Sequence, residues 1–108
     1  MAAAVAISPV SGSITHLSTV CRVTCSGVAN NTTTGYDATK YPAEPQVTYY
    51  LKLAATGKQT LKSPVFSTNP DGTAEWDNVI IPDAATWTLT VNATADDSVI
   101  ATASVVVA

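Results

Sequence analysis

Few side chains in this sequence are able to do chemistry. There is one histidine, His16, two cysteines, Cys21 and Cys25, and eight carboxylates: Asp37, Glu44, Asp71, Glu75, Asp77, Asp83, Asp96 and Asp97. Nucleophilic catalysis needs a base beside the nucleophile. His16 stands between Thr15 and Leu17 with no acidic residue nearby in sequence, which is the setting of a solvated turn histidine. Cys21 and Cys25 fall four residues apart within an alternating stretch. Extended chain separates them by about 13 Å at its usual rise, whereas a disulfide needs Cα atoms closer than about 7 Å, so two buried, unpaired thiols are expected. A Cys-x3-Cys zinc site is the sharper alternative, but it lacks enough further ligands. Asp96 with Asp97, and Asp37 brought near across one end of the molecule, could hold calcium, although that ion takes roughly six to eight oxygens and no EF-hand spacing is present. The other carboxylates are spread among turn sequences, where a short acidic side chain bonds its own backbone. With no glycine-rich phosphate loop and no His-Glu-x-x-His pattern, the sequence offers no catalytic residue, no metal site and no cofactor site, and it does not read as an enzyme.

The elements that carry these residues are strands. Hydrophobic residues make up 46% of the 108 and charged ones only 12%, a balance that favours order from end to end in a single β-domain over residues 1–108. The clearest alternation runs through Trp87, Leu89, Val91 and Ala93, with threonines between the first three, the period of a strand buried on one face. Before it, Ala4–Ser8 reads as a first strand ended by Pro9, with Ile14 rejoining the sheet later. Leu17, Thr19, Cys21, Val23 and Cys25 are expected to point inward along a second strand, and Val47, Tyr49, Leu51 and Leu53 along a third. Ala55-Thr56-Gly57-Lys58 makes a hairpin, and the strand from Thr60 to Thr68 contains Pro64, hence an edge. Asn69-Pro70-Asp71-Gly72 is a turn. Thr73 to Ile81 does not keep one face unless a bulge sits near Asp77-Asn78. The last strand, Val99 to Val107, is expected to send its odd residues inward, while Ile100 and Val106 break the alternation and are available to a partner. The expected core comprises Cys25, Tyr49, Leu51, Trp76, Trp87, Leu89 and Val91. Residues 27–45 form a long run of turn formers around Tyr36 and Tyr41, either folded back on the sandwich edge or serving as a contact surface.

Charge and signals narrow the partners. The formal net charge is -3 and the five basic residues, Arg22, Lys40, Lys52, Lys58 and Lys62, are scattered, so nucleic acid is not an expected partner. The apolar start has no basic n-region and is cut by Ser8 and Pro9, and no run reaches membrane-spanning length; a chain made in the cytosol, with no membrane contact, is expected. The Asn-x-Thr sequons at Asn30, Asn31 and Asn92 matter only after export.

The spacing Asp83, Ala85, Trp87, Leu89 resembles the corner before strand F of immunoglobulin-like domains, with Trp87 in the tyrosine place and Leu89 in the cysteine place. Val23-Thr24-Cys25-Ser26-Gly27 is similar to the end of strand B, with Cys25 where the bridging cysteine usually stands. On this resemblance the corner's hydroxyl bond and the inter-sheet disulfide are both lost, and packing alone must hold the two sheets. Together with Asn-Pro-Asp-Gly-Thr before a tryptophan strand and the closing Ala-Thr-Ala-Ser-Val-Val-Val, the chain resembles the bacterial and phage immunoglobulin-like domains. That family implies an all-β immunoglobulin-like β-sandwich of two antiparallel sheets and about seven strands. It occurs as virion accessory modules and as adhesin repeats. A whole chain without an export signal points toward the virion, assembled in the host cytoplasm, and an extracellular surface is the alternative. The expected function is a capsid decoration protein bound to the major capsid protein lattice, or to another virion protein. A host-surface glycan binder using Tyr36, Asp37, Asn30, Asn31 and Tyr41, or a tail accessory protein, is the other possibility. Candidate partner contacts are Ala4, Val5 and Ile7 of the first strand, Tyr36, Asp37 and Tyr41 of the long loop, and Ile100 and Val106 of the last strand.

Overall fold

The computed structural model describes residues 3–28, 48–66, 73–94 and 96–108. These residues form seven strands: β1 (Ala4–Ser8), β2 (Cys21–Ser26), β3 (Tyr49–Ala54), β4 (Leu61–Lys62), β5 (Ala74–Val79), β6 (Ala85–Ala93) and β7 (Val99–Val107). Among the described residues there is no helix. One sheet has the order β1-β2-β5 and the other β4-β3-β6-β7, with every strand pair antiparallel. The inner faces meet in one core of Ile14, Cys21, Val23, Cys25, Tyr49, Leu51, Leu53, Ile81, Trp87, Leu89, Val91, Val105 and their neighbours, so the chain is a β-sandwich.

The alternation along β6 explains its central place. Trp87, Leu89 and Val91 are fully buried, and β6 pairs with β3 on one side and β7 on the other. Leu89 stands opposite Leu53 and Ala103, so its side chain lies in the middle of the inner face. Of the residues expected in the core, Cys25, Tyr49, Leu51, Trp87, Leu89 and Val91 are buried, while Trp76 is half-buried and packs on the core from its margin. Trp76 keeps the inward parity of Ala74 on an edge strand, and the bulge that the sequence places at Asp77-Asn78 follows it. Cys21 opposes Val79 and Val23 opposes Trp76, so β5 carries one residue more than β2, and Asn78 takes a φ of 59° to accommodate it.

The corner before β6 corrects one expectation. The indole Nε1–H of Trp87 donates to the carbonyl of Asp83 at 3.0 Å, so the corner does carry a side-chain-to-backbone bond. Cys21 and Cys25 are both buried and free. Burial raises both thiol pKa values, which keeps them protonated and unreactive.

Three further expectations differ. The inward alternation of the second strand starts at Cys21, because residues 15–19 are a tight turn and Leu17 projects into solvent with a φ of 62°. Val99 is exposed rather than inward: Val91 opposes Ala101 and Asn92 opposes Val99, so Ile100 is the extra residue of a second bulge that shifts the parity of the strand. Of the expected 60–68 strand, residues 67 and 68 lie outside the described residues, and the described residues 60–66 contain a two-residue strand at an edge. Beyond it, Ser63 still exchanges bonds with Leu51 and Phe66 with Tyr49, but Pro64 between them has no N–H to continue a ladder. The 69–72 turn and Val47 lie outside the described residues.

The chain changes sheets after β1. Ser8-Pro9 is a cis peptide, and the segment that follows runs along β7, with Ile14 bridging Val107 in parallel. Gly12 N–H donates to the Val106 carbonyl at 3.0 Å, and Ala108 N–H to that of Ile14 at 2.9 Å. His16 belongs to the same clasp. Its backbone N–H and its ring Nδ1–H both reach the Ala108 carbonyl, at 2.8 and 2.9 Å. The histidine therefore pins the end of β7 rather than standing free in a turn.

Candidate functional site

The two ends of the sandwich differ in chemistry. At the end where β3 begins and β6 turns into β7, polar side chains knit the outer face of the sheet. Tyr50 opposes Asn92 across β3 and β6, and both are buried although they point away from the core. The Tyr50 hydroxyl donates to Asp97 Oδ1, and Asn92 Nδ2 donates to the Asp97 carbonyl at 3.2 Å. Thr90 Oγ1 donates to Asn92 Oδ1 at 2.6 Å, and Lys62 Nζ lies 5.3 Å above the Tyr50 ring. Asp97 adopts a φ of 63°, a conformation that aspartate tolerates better than most residues. Asp96 Oδ1 accepts from the Ser98 N–H at 3.1 Å, and hydrogen bonding from the Ser98 side chain first and from this N–H second holds the Asp96 carboxyl below the usual range. The two carboxylates considered for calcium are thus engaged in turn and cross-strand bonds, and among the described residues no three of His, Cys, Asp and Glu converge. Asn92 is 1% exposed, with its Oδ1 and Nδ2 each bonded, so its sequon is out of reach in the folded protein.

The Tyr50–Asp97 bond has a pH signature. Acceptance by Asp97, then burial, then the negative charge of the carboxylate all raise the Tyr50 pKa. A raised folded-state pKa means the native state holds the phenolic proton more tightly than the unfolded chain. The added stability is complete below the unfolded value of about 10 and is lost as pH climbs through the folded one. Thermal melts taken from pH 8 upward are expected to show a steeper alkaline decline in wild type than in Tyr50→Phe.

At the opposite end, three large apolar side chains stand in solvent. Leu17, Val20 and Ile80 are 67%, 57% and 49% exposed. Leu17 N–H donates to the Ile81 carbonyl at 2.8 Å, and the β2–β5 register, which pairs Cys21 with Val79, places Val20 beside Ile80. The turn that presents Leu17 is braced: Thr15 N–H donates to Thr19 Oγ1 at 2.9 Å, and the N–H groups of Ser18 and Thr19 return to the Thr15 carbonyl. Next to this patch lies a groove of about 440 Å³, lined by Ser8, Pro9, Val20, Cys21, Arg22, Asp77 and Asn78. Arg22 Nε donates to Asp77 Oδ1 at 2.5 Å, and its other arm lies 3.9 Å from Glu75. The patch and the charge pair together make a surface suited to protein contact, with apolar area at its centre and a polar rim.

Leucine in a left-handed conformation costs about 1–2 kcal/mol, and glycine there avoids the clash at an unfolded-state entropy cost of about 0.5–1 kcal/mol. Leu17→Gly is therefore expected to stabilise the protein by up to about 1 kcal/mol, read as a higher midpoint in urea. A lower midpoint would show that the exposed leucine packs in the free protein.

The contacts expected from sequence scatter over the molecule. Ala4 is exposed, but Val5 and Ile7 turn inward and pack on the core as half-buried residues, because alternation along β1 sends its odd positions to the inner face. Ile100 and Val106 are exposed on β7. Tyr36, Asp37 and Tyr41, with Asn30 and Asn31, lie outside the described residues. Leu17, Val20 and Ile80 were not among the expected contacts. A signal existed for one of them: in the run Val79-Ile80-Ile81 a strand cannot bury all three, and the middle residue faces out. For Leu17 there was none, since no glycine or asparagine marks its backbone. Comparison of the chain with family models, with curated proteins and with solved structures gives no match in any of the three.

Proposed function

We propose that this chain is a non-enzymatic structural protein that docks on an assembled protein lattice, as a capsid decoration protein binding the major capsid protein of a virion. The observation that carries the reading is the Leu17, Val20 and Ile80 patch, apolar side chains displayed from braced backbone at one end of a rigid sandwich. Strain retained at an exposed leucine is a cost with no return inside the free domain, and such outliers collect where a partner is met. The sheet assignment supports an immunoglobulin-like sandwich: first, second and fifth strands in one sheet and third, sixth and seventh in the other, with the short fourth strand paired to the third. Docking by shape and apolar contact also suits a surface with few charges.

The test is direct. Virions purified from the source are expected to contain the chain in stoichiometric amounts by mass spectrometry, and Leu17→Glu is expected to reduce its occupancy while leaving the melting temperature unchanged. Absence from particles overturns the reading. Particles carrying the chain on the tail instead of the head would make it a tail accessory, and glycan-array binding without particle association would favour a host-surface module on an extracellular surface.

A further inference from the structure

The two sheets have four edges, and they are not protected alike. Strand β4 is two residues long, carries Lys62 and runs into Pro64. Strand β5 presents Glu75 and Asp77 and is bent by its bulge. Charge, proline, brevity and bulges are the usual guards against pairing with another chain. Strand β1 has five residues and stops at Pro9. Strand β7 is nine residues long, contains no charge and no proline, and has its one bulge near its start, at Ile100.

Part of the β7 edge is already filled. Val106 N–H donates to Ser11 Oγ at 2.8 Å and its carbonyl accepts from Gly12, so the backbone groups of Val106 point away from β6. In an antiparallel ladder that orientation repeats every second residue. Ser104 and Thr102 therefore also turn their N–H and C=O groups outward, and both residues are exposed. Among the described residues none bonds to these groups. The open stretch runs from the bulge at Ile100 to Ser104.

We propose that two copies of this chain pair through this stretch, antiparallel, about a two-fold axis at Thr102. Thr102 then exchanges both backbone bonds with Thr102 of the second copy, and Ser104 lies opposite Ile100. The occupant is a second copy because the stretch maps onto itself: its midpoint is Thr102, its side chains are neutral, so identical strands do not repel, and opposed threonines are a favourable cross-strand pair. Each four-stranded sheet becomes half of a continuous eight-stranded one. The clasp over Val106 fixes where pairing must stop, and so fixes the register. This inference goes beyond lattice docking and does not rest on it.

The experiment uses the purified protein alone. Sedimentation at concentrations rising to about 1 mM is chosen because an edge contact falls at the small end of interface sizes. The wild type is expected to pass from the mass of one chain to that of two, and Thr102→Lys with Ser104→Lys to remain a monomer with an unchanged melting curve. Register is read by cross-linking. Opposed residues in a hydrogen-bonded antiparallel pair have Cα atoms about 5.5 Å apart, within disulfide reach. Mild oxidation of Thr102→Cys is thus expected to give a covalent dimer, whereas Ser104→Cys, whose copies are far apart along the strands, gives little. A wild type that stays monomeric, a dimer that survives the double lysine change, or equal cross-linking at both positions would overturn the proposal.

Discussion

Leu89→Asp is expected to abolish folding. Leu89 is fully buried at the centre of the inner face, with Leu53 opposite on β3 and Ala103 opposite on β7. Truncating a buried leucine already costs about 2–5 kcal/mol through lost transfer energy and the cavity left behind. The aspartate adds a carboxylate among apolar side chains, with no partner to neutralise it, and the native state must then either bury a charge or bind a proton. Domains of this size have only about 5–15 kcal/mol to lose. Circular dichroism of the variant at pH 7 should show no cooperative melt, while Leu89→Met, which keeps the volume, should cost less than about 1.5 kcal/mol. A cooperative melt of Leu89→Asp near the wild-type temperature would mean that the centre of the sandwich is open to water. Cys25 lies in the same core as a free thiol, so reducing agent should leave the wild-type melting temperature where it is.

Trp87→Ala is expected to cost about 3–5 kcal/mol, the range for removing a large buried aromatic. Trp87 has no exposed surface, pairs with Val105 across β6 and β7, and ties the 82–85 corner to the strand through its bond to Asp83. Trp87→Phe separates the two contributions. Phenylalanine keeps much of the packing but leaves the Asp83 carbonyl without its donor, a loss of about 1–3 kcal/mol when the group stays buried. Urea denaturation followed by circular dichroism should place the three proteins in the order wild type, Trp87→Phe, Trp87→Ala. Equal stability of Phe and wild type would show that water replaces the indole at the corner.

The strands were legible wherever one face is buried and one is wet. The period of two along Trp87, Leu89 and Val91 gave β6, and the same pattern gave the core side of β2 from Cys21 and of β3 from Tyr49. The bulge in β5 was legible because Trp76 and Val79 cannot share a face without an extra residue between them. The bulge at Ile100 was not: Val99, Ala101 and Ala103 fit an uninterrupted strand equally well, and only the partner β6 reveals the shift. Tyr50, Thr90 and Asn92 read as an outer, wet face by parity, yet they are buried by one another and by the turn at Asp97.

By itself the sequence determined an all-β chain, the positions of most strands, the inward residues of each, and the absence of a bond between Cys21 and Cys25. These follow from local periodicity and from the reach of extended backbone. The tertiary structure decided which strands share a sheet, which edges are left open, that Trp87 bonds the Asp83 carbonyl at the corner, and that Leu17, Val20 and Ile80 meet at one end. Those facts depend on residues far apart in the chain coming together: the patch joins a turn at residue 17 to a strand end at residue 80, and the His16 clasp joins residue 16 to residue 108. No window of sequence contains both members of such a pair.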